Sequence, residues 1–206
     1  MTTLKRTDSS NKDFVNLVNQ LDAYLKITDG DEHDFYNQYN SIENLSHVVV
    51  AYSDNKPIGC GAFKNFKNNS AEIKRMFTRT EYRGNGIATL ILKELEKWAT
   101  ELNYDSCILE TGIRQVEAVE FYKKNSYNII TNYGQYKGVK NSLCFKKNLE
   151  NEKDEYNNFF PEECRNHKNK DRCVQIYKDV SECWDFPKSQ ERIDCLKQKI
   201  DLKDIK

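Results

Sequence analysis

The chain has 206 residues, with 32 Lys+Arg against 32 Asp+Glu, so its formal charge at neutral pH is zero. Charged residues make up 31% and hydrophobic ones 38%, which suits one full domain with a polar surface plus an appendage. That balance gives no global electrostatic case for nucleic acid or an anionic membrane, and no apolar run approaches the roughly 20 residues needed to span a bilayer.

Met1 to Lys12 is polar and lacks the apolar core of a secretory leader, so the expected address is cytoplasmic. Asn11 to Ile27 carries Phe14, Val15, Val18, Leu21, Tyr24 and Leu25 at helical spacing. Asp31 is placed to cap a short second helix carrying Phe35, Tyr36 and Tyr39. In "HVVVAYSDNKPIGCGAFKNF", Val48 to Tyr52 and Ile58 to Phe66 are predicted strands around the turn cluster "SDNKP". Ala71 to Thr78 is a third strand. The helix from Gly86 to Leu102 places Ile87, Leu90, Ile91, Leu95, Trp98 and Leu102 on one face, as a helix packed on a sheet does. Cys107 to Glu110 is a short buried strand. Val116 to Asn125 is a helix with Ala118, Val119 and Tyr122 in phase, and "YNIITNY" and "SLCFKKNL" close the sheet. This order predicts an α/β (α+β) fold: a mixed central sheet with helices on its faces. The charged, Asn-rich "KKNLENEKDEYNN" marks a linker.

The most informative stretch is "YRGNGIA", residues 82–88, directly before the amphipathic helix. The first N–H groups of a helix lack intrahelical partners, and the helix dipole adds partial positive charge there. Gly84 and Gly86 permit positive φ and close backbone approach, and Arg83 adds fixed charge. Together they suit a pyrophosphate. The dinucleotide fingerprint fails, because Thr89 stands where its third glycine belongs, and the Lys-Ser/Thr pair of a P-loop is absent.

Arg83-x-x-Gly86-x-Ala88 resembles the [Q/R]-x-x-G-x-[G/A] acetyl-coenzyme A loop of the GNAT superfamily of N-acetyltransferases. The flanks agree: the strand "AEIKRMFT" leads in, an amphipathic helix leads out, and "QVEAVEFYKKNSY" looks like the second motif, N-x-x-A-x-x-L-Y-x-x-x-G-F. The chain is most similar to small bacterial-type members carrying "EIKRM", "RGxGIA", "LETG" and "NYGQY". The resemblance implies an acetyltransferase domain over residues 1–149, with the two N-terminal helices as the substrate-side cap. Acetyl-CoA is the implied cosubstrate and an amine the acceptor; no metal is expected. Backbone N–H groups of Arg83, Gly84, Asn85, Gly86, Ile87 and Ala88 would hold the pyrophosphate. Met76 and Phe77 would pair their backbone with the pantetheine arm. Gln115, at the motif's Asn, could bond the same arm. Tyr122 matches the motif's Tyr, which protonates the departing thiolate; a phenol is chemically suited to that donation. Ser126 stands where the motif has Gly, and Asn125 is expected to take the left-handed conformation in its place.

An amine must lose a proton to attack. The candidate general bases are Glu72, at the start of the central strand, and Glu110, at the end of the next; each could equally be a structural carboxylate. His47 is expected to be structural. A cysteine acyl-enzyme is the other route in principle, but no His lies near Cys60, Cys107 or Cys144 in sequence, and these three suit small buried hydrophobes. The acidic, aromatic "TDGDEHDFYNQYN" could attract a cationic amine such as a polyamine, an aminoglycoside or a lysine side chain. Arg114 would instead favour an anionic amine such as an amino acid.

Residues 150–160 form the linker and 161–206 a cysteine-rich helical segment. Pro161 and Pro187 are placed to start helices, and Cys164, Cys173, Cys183 and Cys195 are spaced through it. So few apolar residues need staples. Two disulfides have three pairings; Cys164–Cys195 with Cys173–Cys183 would resemble the hairpins of the mitochondrial intermembrane space, the alternative address. Zinc with His167, and a reduced cytosolic extension, stay open. The segment offers a homodimer or protein-docking element. Two functions therefore compete: an acetyl-CoA-dependent N-acetyltransferase acting by direct attack in a ternary complex, and a catalytically silent scaffold of the same fold.

Overall fold

The computed structural model describes residues 2–30, 36 and 38–149. The linker and the cysteine-rich segment, with their disulfide, zinc and reduced alternatives, lie outside the described residues. So does most of the second predicted helix after Asp31.

The described residues form β1 (Thr2–Thr7), α1 (Lys12–Asp29), β2 (His47–Ser53), β3 (Lys56–Phe66), β4 (Ser70–Thr78), α2 (Ile87–Glu101), β5 (Ser106–Gly112), α3 (Val116–Lys124), β6 (Asn128–Ile130) and β7 (Ser142–Asn148). The strands make one sheet in the order β1-β2-β3-β4-β5-β7-β6. Every pairing is antiparallel except β4 with β5, which is parallel.

Sheet faces follow from alternation. On β2, Val49 and Ala51 join a core under α2 with Ile87, Ile91, Leu92, Leu95 and Phe145. Val48 and Val50 face the other way, onto Phe14, Leu17, Val18, Leu21 and Leu25 of α1. The run "VVVA" is continuous because both faces are covered. Each fully buried Leu, Ile or Phe contributes about 1.5–3 kcal/mol. Asn11 starts α1 by accepting from the N–H groups of Asp13 (2.9 Å) and Phe14 (3.0 Å). His47 is structural in its contacts: its ring stacks on Phe63 at 4.4 Å and meets Trp98 edge-on at 4.9 Å. Cys60, Cys107 and Cys144 are buried free thiols. Burial pushes Cys60 and Cys107 up to about 12 and Cys144 to about 11, so none offers a thiolate at neutral pH.

Two expectations change. The polar N-terminus is a strand: Thr2–Thr7 pairs along β2, from Thr2 opposite Ser53 to Thr7 opposite Val48. Leu4 is its one apolar anchor in the core. Arg6 fixes it from outside, paired with Glu94 at 2.8 Å and with Glu101, and lying 4.8 Å over the Trp98 ring. One large apolar residue in six gives no period to detect. Second, Asn125 stays right-handed at φ −95°, and Ser126 itself takes the left-handed position at φ +67°. The hydrogen bonds require it. Ser126 N–H donates to Lys123 O at 3.1 Å and Tyr127 N–H to Tyr122 O at 3.1 Å, which is a Schellman end with Ser126 as the left-handed residue. Its companion apolar contact is Tyr127 on Tyr122, with ring centroids 5.7 Å apart. The helix end thereby fixes where Tyr122 sits.

Candidate active site

β4 and β5 pair only from Ser70–Ser106 to Glu72–Ile108. Beyond that they part. The cause lies on β4, where a bulge places Arg75 and Met76 opposite Gly61 alone: Lys74 pairs with Ala62 and Phe77 with Cys60. Arg75 sits at φ +58°, and its buried guanidinium pairs with Asp22 of α1 at 2.5 Å. The extra residue reverses the alternation. Ile73 and Met76 then share the α2 core while Phe77 packs under α1. Gly61 permits this, since a Cβ there would stand 2.4 Å from Met76 Sδ and 2.9 Å from both Ile91 Cγ2 and Leu95 Cδ1. Gly61→Ala is expected to cost about 1–3 kcal/mol by overpacking, read as a lower urea midpoint at unchanged m.

The opening between the strands holds two cavities among the described residues. The outer one, about 380 Å³, runs from Met76–Thr78 to Arg83, Gly84 and the first turn of α2, with Ala118 and Phe121 of α3 opposite. The inner one, about 120 Å³, lies between Ile73–Met76 on β4 and Glu110–Gly112 on β5. They share Leu21, Met76, Gln115, Ala118 and Tyr122. Tyr122 therefore borders both.

The outer end is built from backbone. Gly84 and Gly86 adopt φ +77° and +76°, and a Cβ on either would meet no atom within 4 Å. The dihedral, not crowding within the chain, requires glycine here. Gly86 caps α2 without a side-chain acceptor, and the first turn of α2 has no acidic residue. The first intrahelical bond is Leu90 N–H to Gly86 O at 3.0 Å, so the N–H groups before it have no helical carbonyl. Asn85 turns inward, donating to the carbonyls of Tyr82 and Arg83 at 3.3 Å each. It stiffens the loop and does not line the cavity. Arg83 donates to Thr78 O at 3.2 Å, pairs with Glu117 of α3 at 3.3 Å and lies 5.1 Å over the Tyr24 ring of α1. It spans the groove from one helix to the other.

Of the other expected residues, Met76 and Phe77 line the outer cavity and Gln115 both. Gln115 Oε1 accepts from Thr111 Oγ1 at 3.2 Å, which turns the amide toward β5. Tyr122 is 7% exposed; desolvation, then the negative charge of Glu110, raise its phenol well above the usual range. The two carboxylates part company. Glu110 lies inside β5, which runs on to Gly112, and lines the inner cavity. Glu72 is fully buried and lines neither. It accepts from the Tyr133 hydroxyl at 3.2 Å and pairs with Lys64 at 3.3 Å and Lys74 at 3.8 Å. Cys60, Cys107 and Cys144 line neither cavity.

Lys74, Tyr136 and Tyr24 also line the cavities, and the sequence alone assigned none of them a site role. Lys74 shares the face of Glu72, two residues on. Tyr136 arrives through the 131–141 connection, whose one-turn helix Gly134–Tyr136 buries its ring. Only the period-2 pairing of Glu72 with Lys74 could have been read in advance.

Comparison with known proteins places this geometry. The model of the acetyltransferase (GNAT) family matches residues 14–127, more than half of the chain. An uncharacterized N-acetyltransferase of Bacillus subtilis is 31% identical over 94 residues, which are 46% of this chain and 64% of that one. The chain thus spans just under two thirds of that relative. An IAA acetyltransferase of Azospirillum brasilense is 28% identical over 141 residues, 66% of this chain and 90% of the relative. Among solved structures, a Klebsiella pneumoniae protein described as an acyl-CoA N-acyltransferase superposes with a TM-score of 0.62 at 24% identity, over 73% of this chain and 99% of that one. At that identity the likeness speaks for the fold.

Proposed function

The chain belongs to the acetyltransferase (GNAT) family, and on that premise we propose that it transfers an acetyl group from acetyl-CoA to a primary amine by direct attack in a ternary complex. The observation that carries this is that the two cavities meet on shared residues that include Tyr122: the outer groove would take one substrate and the small inner chamber the other, with a buried phenol at the border of both. The groove fits the cosubstrate. Its outer end offers unbonded helix N–H groups and two left-handed glycines, and its walls are Met76, Phe77, Ala118 and Phe121, apolar enough for a pantetheine arm. The backbone from Arg83 to Ala88 binds the pyrophosphate, while Met76, Phe77 and Gln115 hold the arm. Acetyl-CoA supplies the activated carbonyl and a thiolate leaving group.

Glu110 is the general base. It lines the chamber where the amine must stand, and takes the amine's proton as the new bond forms. Tyr122 donates its hydroxyl proton to the departing sulfur. Glu72 supports the chamber from behind Lys74. Calorimetry with acetyl-CoA, followed by thiol release with a panel of amines, tests the proposal; no binding up to about millimolar, a weak-affinity limit, rejects it. Glu110→Gln is expected to lower kcat/KM about 100-fold with acetyl-CoA affinity unchanged. Glu72→Gln is expected mainly to lower the Tm, since it removes the charge that balances two lysines. A larger loss of kcat/KM in Glu72→Gln than in Glu110→Gln would transfer the base to Glu72.

A further inference from the structure

The inner chamber carries a charge on each wall. Glu110 faces it from β5 and Lys74 from β4, on strands that have already separated. The lysine side chain is 11% exposed. Desolvation lowers its pKa, and Glu72 and Glu110 oppose that drop while Lys64 and Arg75 add to it. A lysine in such a place needs a reason.

Balancing Glu72 is not sufficient. That carboxylate already has Lys64 at 3.3 Å and the Tyr133 hydroxyl at 3.2 Å, whereas Lys74 Nζ lies 3.8 Å away, beyond hydrogen-bond reach. Among the described residues the ammonium donates one hydrogen bond, to the Tyr136 hydroxyl at 3.3 Å, and the Tyr136 ring lies 5.9 Å from the charge. An ammonium has three donors, and among the described residues two of them are left for an occupant of the chamber. Arg75, the neighbouring cation on the same wall, pairs with Asp22 through one terminal nitrogen, and its buried Nε has no partner among the described residues.

We propose that Lys74, with the Tyr136 hydroxyl beside it, binds the carboxylate of a small amino-acid acceptor whose amine is directed toward Glu110 and Tyr122. The opposed charges of the chamber match a zwitterion. They disfavour a polyamine, an aminoglycoside or a lysine side chain, each of which would bring further positive or uncharged groups against Lys74. The volume of about 120 Å³ agrees with a small molecule. This inference rests on the acetyl-CoA reading and on Glu110 as the base.

The test is thiol release from acetyl-CoA by the full-length chain. Each of the twenty standard amino acids is compared with its methyl ester and its decarboxylated amine. At least one amino acid should exceed both counterparts in kcat/KM by roughly tenfold or more, the scale of a charge-assisted bond. Lys74→Met should raise KM for that amino acid at least about tenfold more than for its ester or amine, and Lys74→Arg should restore much of the preference. Esters or amines that match or surpass the acids overturn the inference; this comparison uses wild-type protein and needs no variant to fold. Acetyl-CoA binding without turnover of any amino acid overturns the inference alone. Absence of acetyl-CoA binding overturns the cofactor reading and the inference with it.

Discussion

Replacing Gly86 with glutamate is expected to abolish acetyl-CoA binding while leaving the fold in place. Residue 86 sits at φ +76° and caps α2, and a side chain in that conformation costs about 1–2 kcal/mol. The new Cβ meets open space, so no packing is lost. A carboxylate at a helix N-terminus is itself favourable, by about 0.3–1 kcal/mol, and offsets part of the strain. The damage falls on the ligand. The same N–H groups that would receive a pyrophosphate now face a resident negative charge that repels it. The dissociation constant for acetyl-CoA should rise at least about 100-fold, equivalent to roughly 2.7 kcal/mol, with the Tm within a few degrees of wild type. Gly86→Ala separates the causes, because it carries the strain without the charge; strain present in free and bound protein alike lowers stability and leaves the dissociation constant largely unchanged. Glutamate at 86 with affinity within threefold of wild type would remove the pyrophosphate from this loop.

The elements that could be read in advance are those whose signal is local. Ile87, Ile91 and Leu95 of the expected α2 face are buried, although Leu90 and Leu102 are exposed and Leu92 is buried instead, and Gly84 and Gly86 take the positive φ that glycine permits. What stayed hidden depends on residues far apart. β1 is a strand because β2 offers an edge and Arg6 finds Glu94 on α2, 88 positions away. The bulge at Arg75 and Met76 exists because Gly61 leaves room across the ladder, and nothing in "EIKRMFT" announces it. That bulge lies where the cleft opens, so the glycine loop was easier to read from the sequence than the chamber. The two candidate bases show the same limit. Glu72 and Glu110 look alike as strand carboxylates, yet the parting of β4 from β5 leaves only Glu110 on the cavity wall. The helix end misled for a different reason. Asn tolerates the left-handed region better than Ser, but the hydrogen bonds at residues 122–127 place that region at 126 whatever occupies it.

Tyr122→Phe is expected to lower kcat about 100-fold or more, the usual worth of a positioned acid, while the affinity for acetyl-CoA holds. The ring is anchored by Tyr127 at 5.7 Å and Phe145 at 6.1 Å, and phenylalanine keeps both contacts. The phenol's proton is held tightly at rest, because burial and the charge of Glu110 both raise its pKa. That appears wrong for an acid until the order of proton transfers is considered. On the proposed assignment, Glu110 becomes neutral once it accepts the amine's proton, and its part in raising the phenol pKa is gone. The acid therefore strengthens as the base is consumed, at the moment when sulfur is departing. Two consequences follow from the signs. A phenol raised above its usual value stays protonated as the pH climbs, so Tyr122 should impose no fall in kcat between about pH 8 and 10. And because the two groups act on one another, Glu110→Gln and Tyr122→Phe together should cost less than the product of their separate effects. Single-turnover rates of the two variants and the double variant measure this. A Tyr122→Phe enzyme with the wild-type rate would assign the proton to water, and strictly multiplicative losses would leave the acid in place but dissolve its coupling to Glu110.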